Sequence, residues 1–132
     1  MSVIGIVGEY NPMHYGHLHH IAETKRLMGE DCPVVCVMSG DFIQRGEAAV
    51  YSKFARAEAA VMSGVDLVLE LPLPWVLSSA EGFARGAVLH TLDTDAPVRF
   101  SHENPVIETI YAEYFGEPGS ERAEELLHVH AH

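Results

Sequence analysis

The run Val3-Ile4-Gly5-Ile6-Val7 constrains this chain more than any other stretch. Five apolar residues without alternation suit a strand covered on both faces, as inside a parallel sheet. Parallel neighbours need a crossover, so a helix must follow. After a polar loop from Glu9 to Gly16, the stretch His17 to Met28 carries Leu18, Ile21, Ala22 and Leu27 at helical spacing, with Gly29 behind it. The pattern then repeats. Val34 to Met38 reads as a second strand. Ser39 to Ser52 is a long loop rich in Gly and charge, and Lys53 to Ser63 is an Ala-rich second helix closed by Gly64. Leu67-Val68-Leu69-Glu70-Leu71 reads as a third strand, stopped by Pro72 and Pro74. Ser78-Ser79-Ala80-Glu81 has the capping-box pattern S-x-x-E and opens a helix to about Thr91. Such alternation predicts an α/β fold with a Rossmann-like parallel sheet over residues 1–92.

The character changes at Asp93-Thr94-Asp95-Ala96-Pro97, which reads as a linker over 93–97. Residues 98–132 read as a two-helix C-terminal extension, Pro105 to Phe115 and Ser120 to His128, broken by Gly116-Glu117-Pro118-Gly119. No strand is expected after Leu71. At 132 residues a single core is feasible, and 48% hydrophobic content with a mean hydropathy of +0.06 fits a folded globule. No apolar run approaches the ~20 residues of a membrane span. Met1-Ser2-Val3-Ile4 lacks the basic start of a signal peptide, so the expected setting is cytoplasmic, with no membrane contact. Eight basic against 19 acidic residues give a net charge of −11, which opposes general affinity for nucleic acid. Five of those eleven negative charges fall within residues 96–132. Cys32 and Cys36 read as reduced structural residues, Cys36 inside an apolar strand.

Chemistry concentrates in Asn11-Pro12-Met13-His14-Tyr15-Gly16-His17, between the first strand and the first helix. Ligands of open parallel sheets bind beyond the carboxyl ends of the strands. A helix N-terminus there offers free N–H groups and a positive dipole end to phosphate. Gly16 removes a Cβ that would hinder close approach, and His14 and His17 can donate to charge building up on phosphate. Lys53 and Arg56, three apart at the start of the second helix, share one face and suit a phosphate clamp. Arg45 is a third candidate cation. Gly40 lets the loop after the second strand close over a nucleotide, and Asp41 can meet a ribose or a water. Glu9 and Asn11 stand at the exit of the first strand, where functional side chains gather. Trp75 reads as a packing anchor, Ser78 and Ser79 as helix caps, and His19 and His20 as solvent-facing.

The motif resembles the H-x-G-H signature of the HIGH-type nucleotidyltransferases, which transfer a nucleotidyl group and release pyrophosphate. Gly8 to Pro12, His14 to His17, Val37 to Glu47, Lys53, Arg56-Ala57-Glu58, Gly64 to Pro72 and Ser78 to Glu81 are similar, in order, to the bacterial tRNA(Met) cytidine acetate ligase family. That resemblance implies ATP as substrate, with Mg2+ as its accompanying cation. Acetate would attack the α-phosphate to give acetyl-adenylate, and the acetyl group would pass to N4 of a wobble cytidine. It places His14, His17, Lys53 and Arg56 in catalysis, and Glu9, Asn11, Gly16, Gly40, Asp41 and Arg45 at the nucleotide. The family continues with further strands and a tRNA-binding part that these 132 residues do not contain, so a truncated domain is implied, with tRNA disfavoured for this chain alone. Two alternatives stand beside it: a non-catalytic nucleotide-binding or interaction module, and a nucleotidyltransferase with a small-molecule acceptor.

A second resemblance concerns the end of the chain. Ser101-His102-Glu103-Asn104-Pro105 and Glu125-Leu126-Leu127-His128-Val129-His130 are similar to the small-subunit segment of iron-only (FeFe) hydrogenases. It implies a packing or docking module over residues 98–132, through which a homodimer or a protein partner could form. His128, His130 and His132 alternate there and read as a terminal tail before a metal site.

Overall fold

The computed structural model describes residues 3–92 and 98–100. The expected helices over 105–128 and the terminal histidines lie outside the described residues. Within them the predicted α/β alternation is present. Strand β1 (Val3–Gly8) leads to helix α1 (Tyr15–Met28), β2 (Val34–Ser39) to α2 (Lys53–Met62), and β3 (Leu67–Leu71) to the short α3 (Leu73–Val76) and to α4 (Ala80–Leu92). A further strand, β4 (Val98–Phe100), closes the order.

The sheet is parallel throughout, in the order β3-β2-β1-β4. Ile6 lies opposite Cys36 and Cys36 opposite Val68, so β2 is covered by a strand on each edge. Its six residues are all buried, as an uninterrupted apolar run requires. Alternation along β1 and β2 sends side chains to two layers. Ile4, Ile6, Val34, Cys36 and Met38 pack with Ile21 of α1 and Ala60 of α2. Val37 and Leu71 pack with Val76 of α3 and with Phe83 and Ala87 of α4, against which Trp75 also rests, as a packing anchor should. Winding explains the layers. The crossovers through α1 and α2 run outward from β1 to β3, and the return through α4 lands on the other side of β1. A constant right hand therefore places α4 on the opposite face.

Three local expectations are corrected. A strand does follow Leu71: β4 pairs with β1, Val98 opposite Val3 and Phe100 opposite Gly5, and so lies beyond the boundary drawn at residue 92. The cap of α4 is Ser79 rather than Ser78. Ser79 Oγ accepts from Gly82 N at 3.1 Å and its carbonyl accepts from Phe83 N at 2.8 Å, while the Ser78 hydroxyl turns back to the Trp75 carbonyl. Helix α1 starts two residues earlier than the apolar spacing indicates, because His14 caps it. Both cysteines are free, and burial pushes the Cys36 thiol up to about 12, which keeps it unreactive.

Candidate functional site

The carboxyl ends of β1 and β2 and the N-termini of α1 and α2 meet at one rim of the sheet. Tyr10 adopts a positive φ of 45° just past β1, which folds its ring back beneath the sheet, 3% exposed. From there the chain rises into His14. The His14 imidazole accepts from Gly16 N at 3.1 Å, and the His17 imidazole accepts from His14 N at 3.2 Å, both through Nδ1. This reciprocal pair is a capping box made of two histidines. The rings stack with centroids 3.6 Å apart, and the Tyr10 ring meets His17 edge-on at 5.0 Å. A Cβ on Gly16 would stand 2.9 Å from the His14 ring, so glycine is needed for the cap itself.

The cap determines chemistry. Each Nδ1 accepts a backbone N–H, so each neutral ring carries its proton on Nε2. Two N–H donors are thereby available side by side at the positive end of α1. Burial, then the neighbouring charges of His14 and His20, hold His17 below the usual imidazole range, which favours this neutral form.

Arg56, read as half of a phosphate clamp, has its guanidinium on backbone carbonyls. It is buried, 2% exposed. Its Nε donates to the Tyr51 carbonyl at 3.2 Å, Nη1 to the Glu9 carbonyl at 2.6 Å, and Nη2 to the carbonyls of Ser39 and Gly40. The guanidinium ties the exits of β1 and β2 to the start of α2, which makes Arg56 a brace of the site. Glu9 and Asn11, expected at the nucleotide, also work as ties. Glu9 accepts from Gln44 N at 3.0 Å and Asn11 from Val50 N at 2.7 Å, joining the β1 loop to the loop after β2. Arg45 is exposed on a turn closed by Gly46 N to the Ile43 carbonyl. The three cations therefore occupy three separate settings rather than one cluster.

Lys53, the other half of the expected clamp, is partly exposed. Its ammonium lies 3.0 and 3.2 Å from the Glu70 carboxylate oxygens and 4.0 Å from Asp41, and Glu70 raises its pKa. Glu70 was not among the sequence candidates. The available signal was an acid placed one residue before the end of an otherwise apolar strand, Leu67 to Leu71. Gly40 is required beneath it, since a Cβ there would meet Glu70 Oε1 at 2.2 Å. Gly40, Asp41, Phe42, Glu70, Leu73 and Val76 border a pocket of about 190 Å³ at the ends of β2 and β3. Among the described residues no group of three or more His, Cys, Asp or Glu is placed to hold a metal ion.

Known proteins are similar to this chain. A family model described as HIGH Nucleotidyl Transferase matches residues 1–127. The tRNA(Met) cytidine acetate ligase of Clostridium acetobutylicum is 51% identical over 113 residues, covering 84% of this chain and 28% of the relative. That of Acetivibrio thermocellus is 57% identical over 88 residues, covering 67% and 21%. Among solved structures, Thermotoga maritima TmcAL bound with alpha-thio ATP superimposes with a TM-score of 0.67 at 50% identity, over 74% of this chain and 23% of the other. The apo form of that protein gives a TM-score of 0.70 at 42% identity, over 86% and 28%. The chain thus spans about a quarter of the length of these relatives. The family match runs on through most of residues 98–132, and the comparisons give the hydrogenase resemblance of that segment no support.

Proposed function

The chain belongs to the HIGH nucleotidyl transferase family, and from that premise we propose that it binds ATP at the His14–His17 cap and activates a small carboxylic acid as its adenylate. The observation that carries this reading is the pair of Nε2–H donors at the N-terminus of α1. They sit at the end of β1, and the sheet order β3-β2-β1-β4 puts the topological switch point between β1 and β4. A triphosphate seated there meets the helix dipole, the free N–H groups of the first turn and both imidazoles. As acetate attacks the α-phosphorus, charge builds on the departing pyrophosphate, and preorganised donors stabilise it more than they stabilise bound ATP. Lys53 adds a positive charge on the β2 side, and Arg56 holds the rim in shape. Mg2+ would arrive with the triphosphate and be held largely by its oxygens.

Acetate as the acid, transfer of the acetyl group to N4 of a wobble cytidine, and tRNA as acceptor extend the reading along the lines of the tRNA(Met) cytidine acetate ligases. The charge of −11 opposes tRNA capture by these 132 residues alone. A cytoplasmic setting accords with ATP as substrate, and among the described residues no helix is long and apolar enough to cross a membrane. The competing reading is nucleotide binding without transfer.

The capping chemistry supplies a clean test. His14→Asn retains an N-cap acceptor and His17→Gln retains the partner residue of a capping box, so the double variant keeps its helix and loses both imidazoles. ATP should raise the melting temperature of the wild-type chain and leave the double variant unmoved. Acetate-dependent exchange of labelled pyrophosphate into ATP should follow the same pattern. An ATP shift without exchange selects the binding-only reading, and equal ATP shifts in both proteins would remove the histidine cap from the site.

A further inference from the structure

Two features of Tyr10 are unfavourable taken alone. Its φ of 45° lies in the left-handed region, which aromatic residues rarely adopt. Its hydroxyl is buried beside the Cys36 thiol and meets no nitrogen or oxygen partner among the described residues. Burial, then the neighbouring Cys36, raises the phenol above its usual range, so it does not ionise near neutral pH. Backbone strain and an orphaned polar atom persist only where surrounding contacts hold them, and both gather at functional sites. The ring supplies those contacts. It belongs to the core cluster with Ile6, Ile21, Cys36 and Met38, and it also meets His17 edge-on, with centroids 5.0 Å apart and planes at 72°. The fit is close, since a Cβ on Gly8 would stand 3.3 Å from the ring Cζ.

We propose that Tyr10 is a positioning residue for His17: its ring, and not its hydroxyl, holds the imidazole on the helix cap with Nε2–H free for the leaving phosphates. The inference rests on the nucleotidyl-transfer reading and names the residue that preorganises its donor. His17 depends on such a neighbour. Its cap bond from His14 N is exposed, where water competes for both groups, and the His14 ring stacked on it is exposed as well. The Tyr10 ring is the buried contact of the three. It also offers Nε2–H no competing acceptor, because its oxygen lies beside Cys36. Once the imidazole swings off the cap, Nδ1 loses its donor. The proton then distributes between Nδ1 and Nε2, and the side-by-side pair of N–H groups is lost.

Substitution in the full chain separates ring from hydroxyl. Tyr10→Phe keeps the ring and removes the orphaned oxygen, Tyr10→Leu removes the ring, and Gly8→Ala presses on the ring with every other side chain in place. At about pH 8, where imidazoles are neutral, the nitrogen chemical shifts of the His17 ring report its tautomer. Wild type and Tyr10→Phe should show Nε2–H alone, and Tyr10→Leu a mixture with Nδ1–H. In acetate-dependent pyrophosphate exchange, Tyr10→Leu should lower kcat about tenfold with a smaller rise in the KM for ATP, and Tyr10→Phe should restore the wild-type rate. If Tyr10→Leu does not fold, Gly8→Ala carries the same comparison with a smaller effect. An unchanged His17 tautomer in every folded variant overturns the proposal. So does a Tyr10→Phe variant as impaired as Tyr10→Leu, which would assign the role to the hydroxyl. A wild-type chain without exchange overturns the nucleotidyl-transfer reading, and the tautomer comparison then still decides whether Tyr10 holds His17.

Discussion

An imidazole that caps a helix cannot take a second proton without breaking the cap, because both ring nitrogens are then donors. His17 couples the fold to pH for this reason and through its lowered pKa. The sign follows from linkage. The unfolded chain takes up the His17 proton near its ordinary value of about 6.5, whereas the folded chain resists until a lower pH. Stability is therefore fully present above the unfolded value and is lost as pH falls toward the folded one. The melting temperature should decline as pH falls through and below about 6.5, and His17→Gln should flatten part of that decline. An unchanged slope would show that His17 does not carry the coupling. Arg56 makes the opposite kind of contribution, a fixed charge spent on backbone acceptors. Arg56→Ala orphans carbonyls of Glu9, Ser39, Gly40 and Tyr51 and should cost about 2–4 kcal/mol, read from a urea midpoint. Arg56→Lys should recover little, since an ammonium cannot reproduce the fork. The histidine pair was legible because a buried strand, an H-x-G-H motif and a helix stand in succession. The bracing contacts of Arg56 were not, because a cation beside Lys53 at a helix start reads as half of a phosphate clamp, and its acceptors lie on elements far away in sequence.

Elements were legible where apolar runs were long and ambiguous where a choice lay between neighbours. The three long strands and the helices α1 and α2 follow from apolar period alone, and their ends shift by one or two residues. At α4 two adjacent serines both suit a cap, and the spacing to Glu81 favours Ser78. The backbone favours Ser79, because Phe83 N begins the helical hydrogen bonding at the Ser79 carbonyl. Ser79→Ala should therefore lower stability by about 1 kcal/mol, with a smaller effect from Ser78→Ala. Equal losses in thermal melts would return the cap to the pattern first read. Helix α3 has four residues, with Pro74 among them, and β4 has three. Neither is long enough to show a period, so both depend on the surfaces that receive them.

For the whole molecule, β4 decides where the folded unit ends. A boundary at residue 92 leaves β1 as an open edge, although its residues form one of the chain's most apolar strands and are buried through Ile6. The sheet answers with Val98–Phe100, which pair with Val3, Ile4 and Gly5 across that edge. An uncovered edge of this kind templates pairing with other chains. A fragment of residues 1–92 should consequently unfold at lower urea than the full chain and self-associate with rising concentration in sedimentation. A fragment of residues 1–100 should regain much of the lost stability and remain less associated. The comparison separates two accounts of the chain's end. If the shorter fragment equals the full chain in midpoint and stays monomeric, residue 92 is a true domain boundary and β4 an accessory. If only the longer one does, the nucleotidyltransferase unit includes part of the segment that composition and charge had set apart, as the family match through residue 127 already leads one to expect.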